Sequence, residues 1–278
     1  MLHYLKDDPE TEAIVLYMES LTNGKDFAET LQEVNKKKPV IIIKPGNSEG
    51  AKKAIGSHTG SLAQDHVLVE TLIKDHNGIL VSSLNELYNL LIALKAKGSA
   101  SEQLSIVTNA GGPGVIATDE SANNGFSLHT PDEKLRCALQ EQLPAAASVN
   151  NPFDVLGDAT SDRYGAALSE LTKHTDPHHI MVLLTPQIMT DATAIAEQLT
   201  SLAAASEHPI FSCFLGDKEV SEAIKTLDSQ DFPNFQTPSE ALKAMAQLRC
   251  YHQYDYEDKP PAYRFPQEDI NALRTRIR

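Results

Sequence analysis

Apolar residues fall into two alternating rhythms along this chain. Short, nearly unbroken runs occur at Ala13-Ile14-Val15-Leu16-Tyr17-Met18, Val40-Ile41-Ile42-Ile43, Ile79-Leu80-Val81, Leu104-Ser105-Ile106-Val107 and Phe126-Ser127-Leu128, and again near 179–184 and 209–214. Their length and lack of polar alternation predict strands buried on both faces of a parallel sheet. Between them apolar residues recur at helical spacing. Asp26 is expected to cap a helix that carries Phe27, Leu31 and Val34 on one face. Val67, Leu68, Leu72 and Ile73 mark a helix over 64–77 that ends at Gly78. Ser83 and Glu86 form a capping box ahead of Leu84, Leu87, Tyr88, Leu91 and Leu94. Further helices are expected over 115–124, from Pro131 at a first turn, and near 161–174, 191–204, 217–226 and 238–250.

The alternation of strand and helix predicts an α/β protein with a doubly wound parallel sheet in each half. The small polar stretch 97–103 divides a first unit, 1–99, from a second, 100–250. Residues 251–278, with Asp258-Lys259-Pro260-Pro261 and a basic end, read as a linker. Each unit has the length to bury its own core. Residues 1–8 look like the last turns of a helix, and the first unit offers three strands, near 13–18, 39–43 and 79–81. The first strand of a doubly wound sheet usually lies inside it, so that unit is expected to lack its first strand. That would leave an exposed edge, the strand at 39–43 above all, to be closed by a second copy in a homodimer or left less stable.

Composition narrows the class. Of 278 residues 41% are apolar and 22% charged, as in globular proteins. A net charge of −14 argues against nucleic acid and against an anionic membrane. No apolar stretch approaches the ~18 residues that span a bilayer, and the start carries no signal-peptide pattern. Cys137, Cys213 and Cys250 form no C-x-x-C pair and are expected to be buried thiols in a reducing cytosol, so the expected location is cytoplasmic.

Three features carry candidate chemistry. The loop Gly56-Ser57-His58-Thr59-Gly60-Ser61 follows a strand and precedes a helix, on the side of the sheet where ligands bind. The first strand ends on Glu19. Asn109-Ala110-Gly111-Gly112-Pro113-Gly114 is a glycine-rich turn that opens a helix. Glycines there let unpaired backbone N–H groups face a phosphate, aided by the helix dipole. An imidazole nitrogen is a good nucleophile at neutral pH, and a carboxylate on its other nitrogen fixes the tautomer and stabilises the charged ring. Together the three suit a histidine that carries a phosphoryl group.

Competing readings are weaker. Gly46-Asn47-Ser48-Glu49-Gly50 matches the G-x-S-x-G elbow, but its helix would break at Gly56. Gly112-Pro113-Gly114-Val115-Ile116-Ala117 fits a relaxed dinucleotide fingerprint, yet no acid ends the following strand. His174, His178 and His179 have no partners at metal-ligand spacing and read as surface residues, so no metal site is expected.

Lys44-Pro45-Gly46 with Ser57-His58-Thr59-Gly60-Ser61-Leu62-Ala63 resembles the phosphohistidine segment of ADP-forming acyl-CoA synthetases, the relatives of succinyl-CoA synthetase. Leu16-Tyr17-Met18-Glu19-Ser20, Thr108 to Gly114 and Asn151-Pro152-Phe153-Asp154-Val155 resemble further segments of that family. The resemblance covers about residues 1–250 and implies two flavodoxin-like middle domains. It assigns His58 as the phosphorylated nucleophile and Glu19 as its orienter. It makes Ser57, Thr59, Gly60, Gly111, Gly112, Pro113 and Gly114 the phosphate-binding residues. It also implies substrates rather than tightly bound cofactors: ATP or ADP with Mg²⁺, CoA and a small carboxylic acid. The family's CoA-binding and ATP-grasp domains are not recognisable in this sequence and would be partners. Two alternatives stand beside it: a ligase-like regulatory region of a protein acetyltransferase, and a dinucleotide-binding domain.

Overall fold

The computed structural model describes residues 1–46, 48, 50–51, 66–96 and 101–257. In chain order the first unit contains α1 (Leu2–Asp7), β1 (Ile14–Tyr17), α2 (Gly24–Asn35), β2 (Val40–Ile43), α3 (His66–Asp75), β3 (Ile79–Val81) and α4 (Leu84–Ala93). The second contains β4 (Gln103–Thr108), α5 (Gly111–Asn123), β5 (Ser127–Leu128), α6 (Glu133–Gln142), β6 (Phe153–Asp154) and α7 (Ser161–His174). It continues with β7 (His179–Leu184), α8 (Ala192–Ala205), β8 (Ile210–Phe214), α9 (Ser221–Ser229), β9 (Asn234–Phe235) and α10 (Pro238–His252). All strand pairs are parallel, as expected of an α/β protein. The second sheet runs β5-β4-β7-β8-β9, the flavodoxin order 2-1-3-4-5, with β6 also on β4. The first sheet, β1-β2-β3, repeats the sequential order of β7-β8-β9.

Two expectations about the first sheet are corrected. The strand at 40–43 is central, not an exposed edge. Val40, Ile41 and Ile42 are fully buried, because a run without polar alternation needs cover on both faces. The edge is β1, expected to be buried, which turns Ile14 inward while Val15 and Tyr17 are 43% and 65% exposed.

The helix ends follow local chemistry, with three shifts from expectation. Asn23, not Asp26, caps α2 and accepts the Asp26 N–H at 3.3 Å. Asp132, one residue beyond Pro131, caps α6 by accepting the Leu135 N–H at 2.8 Å. The left-handed residue after α3 is Asn77 (φ 59°) rather than Gly78. Gly78 is needed for close approach, since a Cβ there would lie 2.7 Å from Ile73 Cγ2 and 3.0 Å from Ile73 O. Ser83 caps α4 as read, with the Glu86 N–H donating to Ser83 Oγ at 3.2 Å, while the Glu86 carboxylate turns back to the Ser82 N–H at 2.6 Å and not to that of Ser83.

Each unit buries a cluster of its own, and the two share a further one. One cluster lies within the first unit around Leu31, Val40, Ile42 and Ile73, and another within the second around Leu139, Phe153, Val182 and Ile195. A third is shared: Ile41, Val81, Leu87 and Leu90 pack with Ile106, Met181, Leu242 and Met245. Helices α4 and α10 form the seam, tied at its rim by Asn85 to Glu240 (2.8 Å) and by an ion pair of Lys243 with Glu86. Residues 251–257, read as the start of a linker, fasten back onto the first unit. Tyr251 Oη donates to Asn35 O at 2.7 Å, and Asn77 Nδ2 donates to Tyr251 O at 3.1 Å and Tyr256 Oη at 2.9 Å. The rest of the expected linker, 258–278, lies outside the described residues.

The histidines expected at the surface are corrected as well. His178 and His179 are 2% and 3% exposed, because they open β7, which is flanked by β4 and β8. His178 accepts from or donates to Ser105 Oγ at 2.7 Å, stacks on His129 at 4.8 Å between ring centroids and meets His208 edge-on at 5.0 Å. The His179 ring packs between Phe126 and Phe211. His174 is half-buried and pairs with Glu170 at 3.1 Å. Of the cysteines only Cys213 is buried; Cys137 and Cys250 are exposed, on helices α6 and α10.

Burial disfavours the imidazolium form and pushes His178 and His179 each down to about 4. The nearby carboxylates Asp176, Glu207 and Asp132 oppose this for the cluster without reversing it. The unfolded chain therefore binds more protons than the folded one below about pH 6.5, and stability is lost as pH falls from there through 4. The melting temperature is expected to drop by roughly 5–10 °C between pH 7 and pH 5. A melting temperature flat over that range would contradict it.

Candidate functional site

Parallel strands end together, so the loops leaving their carboxyl ends gather on one side of each sheet. Glu19 lies two residues beyond β1 and is half-buried. Among the described residues its carboxylate makes no hydrogen bond or ion pair, while its backbone carbonyl accepts from Lys44 Nζ at 3.5 Å. Lys44 directly follows β2. Ser57, His58, Thr59 and Gly60, between β2 and α3, lie outside the described residues. Beyond β2 and β3 opens a cleft of about 470 Å³, walled by Lys44, Lys74, Ser82 and Glu86 and, from the second unit, Lys243 and Gln247.

The glycine-rich turn sits at the carboxyl end of β4. Helix α5 starts at Gly111 with Ala110 as its cap residue and no side-chain cap. Its end keeps free donors, as the sequence suggests, but not from all four residues. Pro113 has no N–H, and the Gly114 N–H turns inward to Ala110 O at 3.4 Å. The outward donors are the N–H groups of Gly111 and Gly112, and a Cβ on Gly112 would meet nothing within 4 Å. Gly114 serves close packing instead: a Cβ there would lie 3.2 Å from Thr108 Cγ2 and 3.5 Å from Pro152 Cβ.

Three polar residues hold this turn in place. Thr108 Oγ1 donates to Ala110 O at 2.9 Å and accepts the Ala110 N–H at 3.1 Å. Asn109, buried, exchanges a reciprocal pair of 2.8 Å bonds with the backbone of Thr185 and so extends the β4–β7 ladder with a side chain. Asp154, at the end of β6, accepts the Leu156 N–H at 2.9 Å and sets its other oxygen 3.9 Å from where a Gly111 Cβ would stand. Its carboxylate complements the positive end of α5.

So β4 and β6 bring Gly111, Gly112 and Asp154 together. No hydrogen bond or ion pair among the described residues joins them to Glu19 or Lys44. Sequence reasoning named the segments that hold Asn109, Asn151 and Lys44 but gave these three residues no role. The Asn-Pro turn and the Lys-Pro-Gly segment were visible signals, but their partners lie too far along the chain to be read locally. No three histidine, cysteine, aspartate or glutamate residues among those described are grouped to hold a metal ion. No described helix is long and apolar enough to cross a membrane.

Comparison with known proteins places the chain in a family. Residues 1–94 match the succinyl-CoA ligase-like flavodoxin domain, and residues 104–257 match the ligase-CoA domain. The ADP-forming acetate–CoA ligase I of Archaeoglobus fulgidus is 33% identical over 258 residues, 93% of this chain and 37% of that protein. The alpha subunit of the ADP-forming acetate–CoA ligase I of Pyrococcus furiosus is 32% identical over 262 residues, 93% of this chain and 56% of the subunit. A dinucleotide-forming acetyl-coenzyme A synthetase 1 of Ca. Korarchaeum cryptofilum, solved with phosphate and ADP, superposes with a TM-score of 0.83 at 31% identity, covering 90% of this chain and 55% of that one. The chain thus spans between about a third and just over half the length of these relatives. With both of its α/β units matched, the chain belongs to the succinyl-CoA ligase-like family of CoA ligases.

Proposed function

We propose that this chain is the phosphohistidine-bearing part of an ADP-forming acyl-CoA synthetase, with His58 as the phosphorylated residue. The observation that carries this reading is the similarity of 93% of the chain to ADP-forming acetate–CoA ligases. In the reaction, a phosphate oxygen attacks the thioester of an acyl-CoA, and the carbon–sulfur bond breaks to give acyl phosphate and CoA. An imidazole nitrogen of His58 then attacks phosphorus, the bond to the carboxylate oxygen breaks, and the free carboxylic acid leaves. Finally the terminal oxygen of ADP attacks the phosphohistidine, the N–P bond breaks, and ATP forms. The reverse direction uses the same groups.

Glu19 orients the ring of His58 and stabilises its charge. The free N–H groups of Gly111 and Gly112 cradle the phosphoryl group at the positive end of α5, and Ser57, Thr59 and Gly60 add donors from the loop. Mg²⁺ arrives with the nucleotide. CoA-binding and ATP-grasp domains come from a longer protein or partner subunits, so the 278-residue chain alone does not turn over acetate, CoA and ATP. The test supplies those domains together with terminally labelled ATP. One phosphate per chain, labile in acid and stable in base, is the expected result. An acid-stable label, or none, would sink the reading.

A further inference from the structure

We infer that His129, His178 and His208 form a proton-operated latch at the amino end of the second sheet, whose release in acid loosens the support of the glycine-rich turn at the other end. The three rings come from three places. His129 directly follows β5, His178 directly precedes β7, and His208 lies two residues before β8. His178 is the hub, stacked on His129 at 4.8 Å between centroids and meeting His208 edge-on at 5.0 Å. Each ring is placed to stay neutral. His178 Nδ1 lies 2.8 Å from the Asp176 carbonyl, which can only accept, so Nδ1 carries the proton and Nε2 accepts from Ser105 Oγ at 2.7 Å. His208 Nδ1 accepts the His178 N–H at 3.2 Å. Charged, it would donate to the His178 carbonyl, also 3.2 Å away, and leave that N–H without an acceptor. His129 Nδ1 donates to Gln103 Oε1 at 3.1 Å. Its Nε2 is buried with no hydrogen-bond partner among the described residues, so a second proton there finds no acceptor.

Among the described residues, the carboxylates that face the cluster are Asp132 at the start of α6, Asp176 and Glu207, and the cation is Arg249 of α10, beside His179. Burial outweighs the carboxylates and holds all three rings below the ordinary imidazole value, His178 at about 4. An opened cluster regains that value and binds more protons than the closed one, so opening gains as pH falls from about 6.5. Between pH 7 and pH 5 the gain is about 20-fold for each imidazole freed. The path to the turn runs through Asn151. The His129 carbonyl accepts from Asn151 Nδ2 at 3.0 Å, and Asn151 Oδ1 accepts the Ile106 N–H at 3.0 Å. From Asn151 the chain passes through Pro152, against which Gly114 packs, into β6 and Asp154 beside Gly111. Opening the cluster withdraws His129 from Asn151 and so frees the anchor of β6. Only the naming of the turn as a phosphoryl cradle rests on the function proposed above.

The test is amide hydrogen exchange of the 278-residue chain at pH 7 and pH 5, each rate divided by the intrinsic rate at that pH. The Ile106 N–H reports the bond to Asn151, and the Val155 N–H, bonded to Thr108 O at 2.8 Å, reports the anchoring of β6. Protection of both should fall by roughly 20-fold or more between pH 7 and pH 5. At pH 5 it should be nearly independent of dilute urea, because a local opening exposes little surface. His208→Gln keeps an acceptor for the His178 N–H but cannot take the proton, and should reduce the fall by about 20-fold. His129→Gln, at a half-buried position, replaces it should the first variant fail to fold. A steep urea dependence at pH 5 would make the exchange global unfolding. A fall at Ile106 without one at Val155 would break the path to the turn. Unchanged protection of Ile106, or an undiminished fall in the glutamine variant, would remove the latch. Each of these results overturns the inference. The exchange needs no phosphorylation, so its failure leaves the proposed function standing, and failure of His58 to label in the longer protein leaves the latch standing.

Discussion

Replacing His58 by alanine in the longer protein is expected to abolish phosphoryl uptake from ATP altogether. A methyl group offers no lone pair, and no neighbouring side chain can substitute, because Ser57 and Thr59 hydroxyls are poor nucleophiles without a positioned base. The loop lies between β2 and α3, which bury Ile41, Ile42, Val69 and Ile73, so the unfolding transition should be unchanged. Glu19→Gln is the graded companion. It keeps size and loses the charge that steadies the modified ring, so labelling should slow by roughly 10–100-fold while the fold persists. Pulse labelling followed by acid and base treatment reads both variants. Undiminished label in His58→Ala would remove the nucleophile from the proposal, and unchanged kinetics in Glu19→Gln would leave Glu19 as an ordinary residue beyond a strand.

Asn151→Leu is expected to lower the melting temperature by roughly 10 °C. One edge of β4 has no continuous partner: β5 pairs with Gln103 and Leu104, and β6 with Val107 and Thr108. The Asn151 side chain fills the gap as a piece of strand would. Its Oδ1 accepts the Ile106 N–H at 3.0 Å, and its Nδ2 donates to Leu104 O at 2.7 Å and His129 O at 3.0 Å. Leucine has the same branched outline but is bulkier, and it makes none of these bonds; the Ile106 N–H and His129 O lose their partner while Leu104 O keeps the His129 N–H at 2.9 Å, which costs about 2–4 kcal/mol. Because β6 also carries Asp154 beside Gly111, the glycine-rich turn should loosen as well. Asn151→Asp keeps the acceptor and loses the two donated bonds, so it should fall between wild type and Asn151→Leu. Thermal unfolding of the three proteins at neutral pH checks the order, and a leucine variant as stable as wild type would refute this account of β4.

Local pattern was enough for the α/β class and for most helices. Those features depend on neighbours within a few residues. The cap at Ser83, the strand Val40 to Ile43 and the glycine-rich start of α5 each state their conformation in a handful of side chains. Long-range pairing was beyond it. His178 and His179 look polar in sequence and are buried because β7 lies between two strands. Val15 and Tyr17 look like core and are exposed because β1 lies at an edge.

The division has one physical cause. Backbone propensity, capping and hydrophobic period act over one turn of helix or a few residues of strand, so the chain by itself determines its elements and the glycines that free the N–H groups of Gly111 and Gly112. Burial and compensation of charge depend on what arrives from elsewhere in the chain. Only the tertiary structure could therefore decide that α4 and α10 fuse the two units over a shared core, that Asn151 completes β4 from 47 positions away, and that His178 meets His129 and His208 at the amino end of β7.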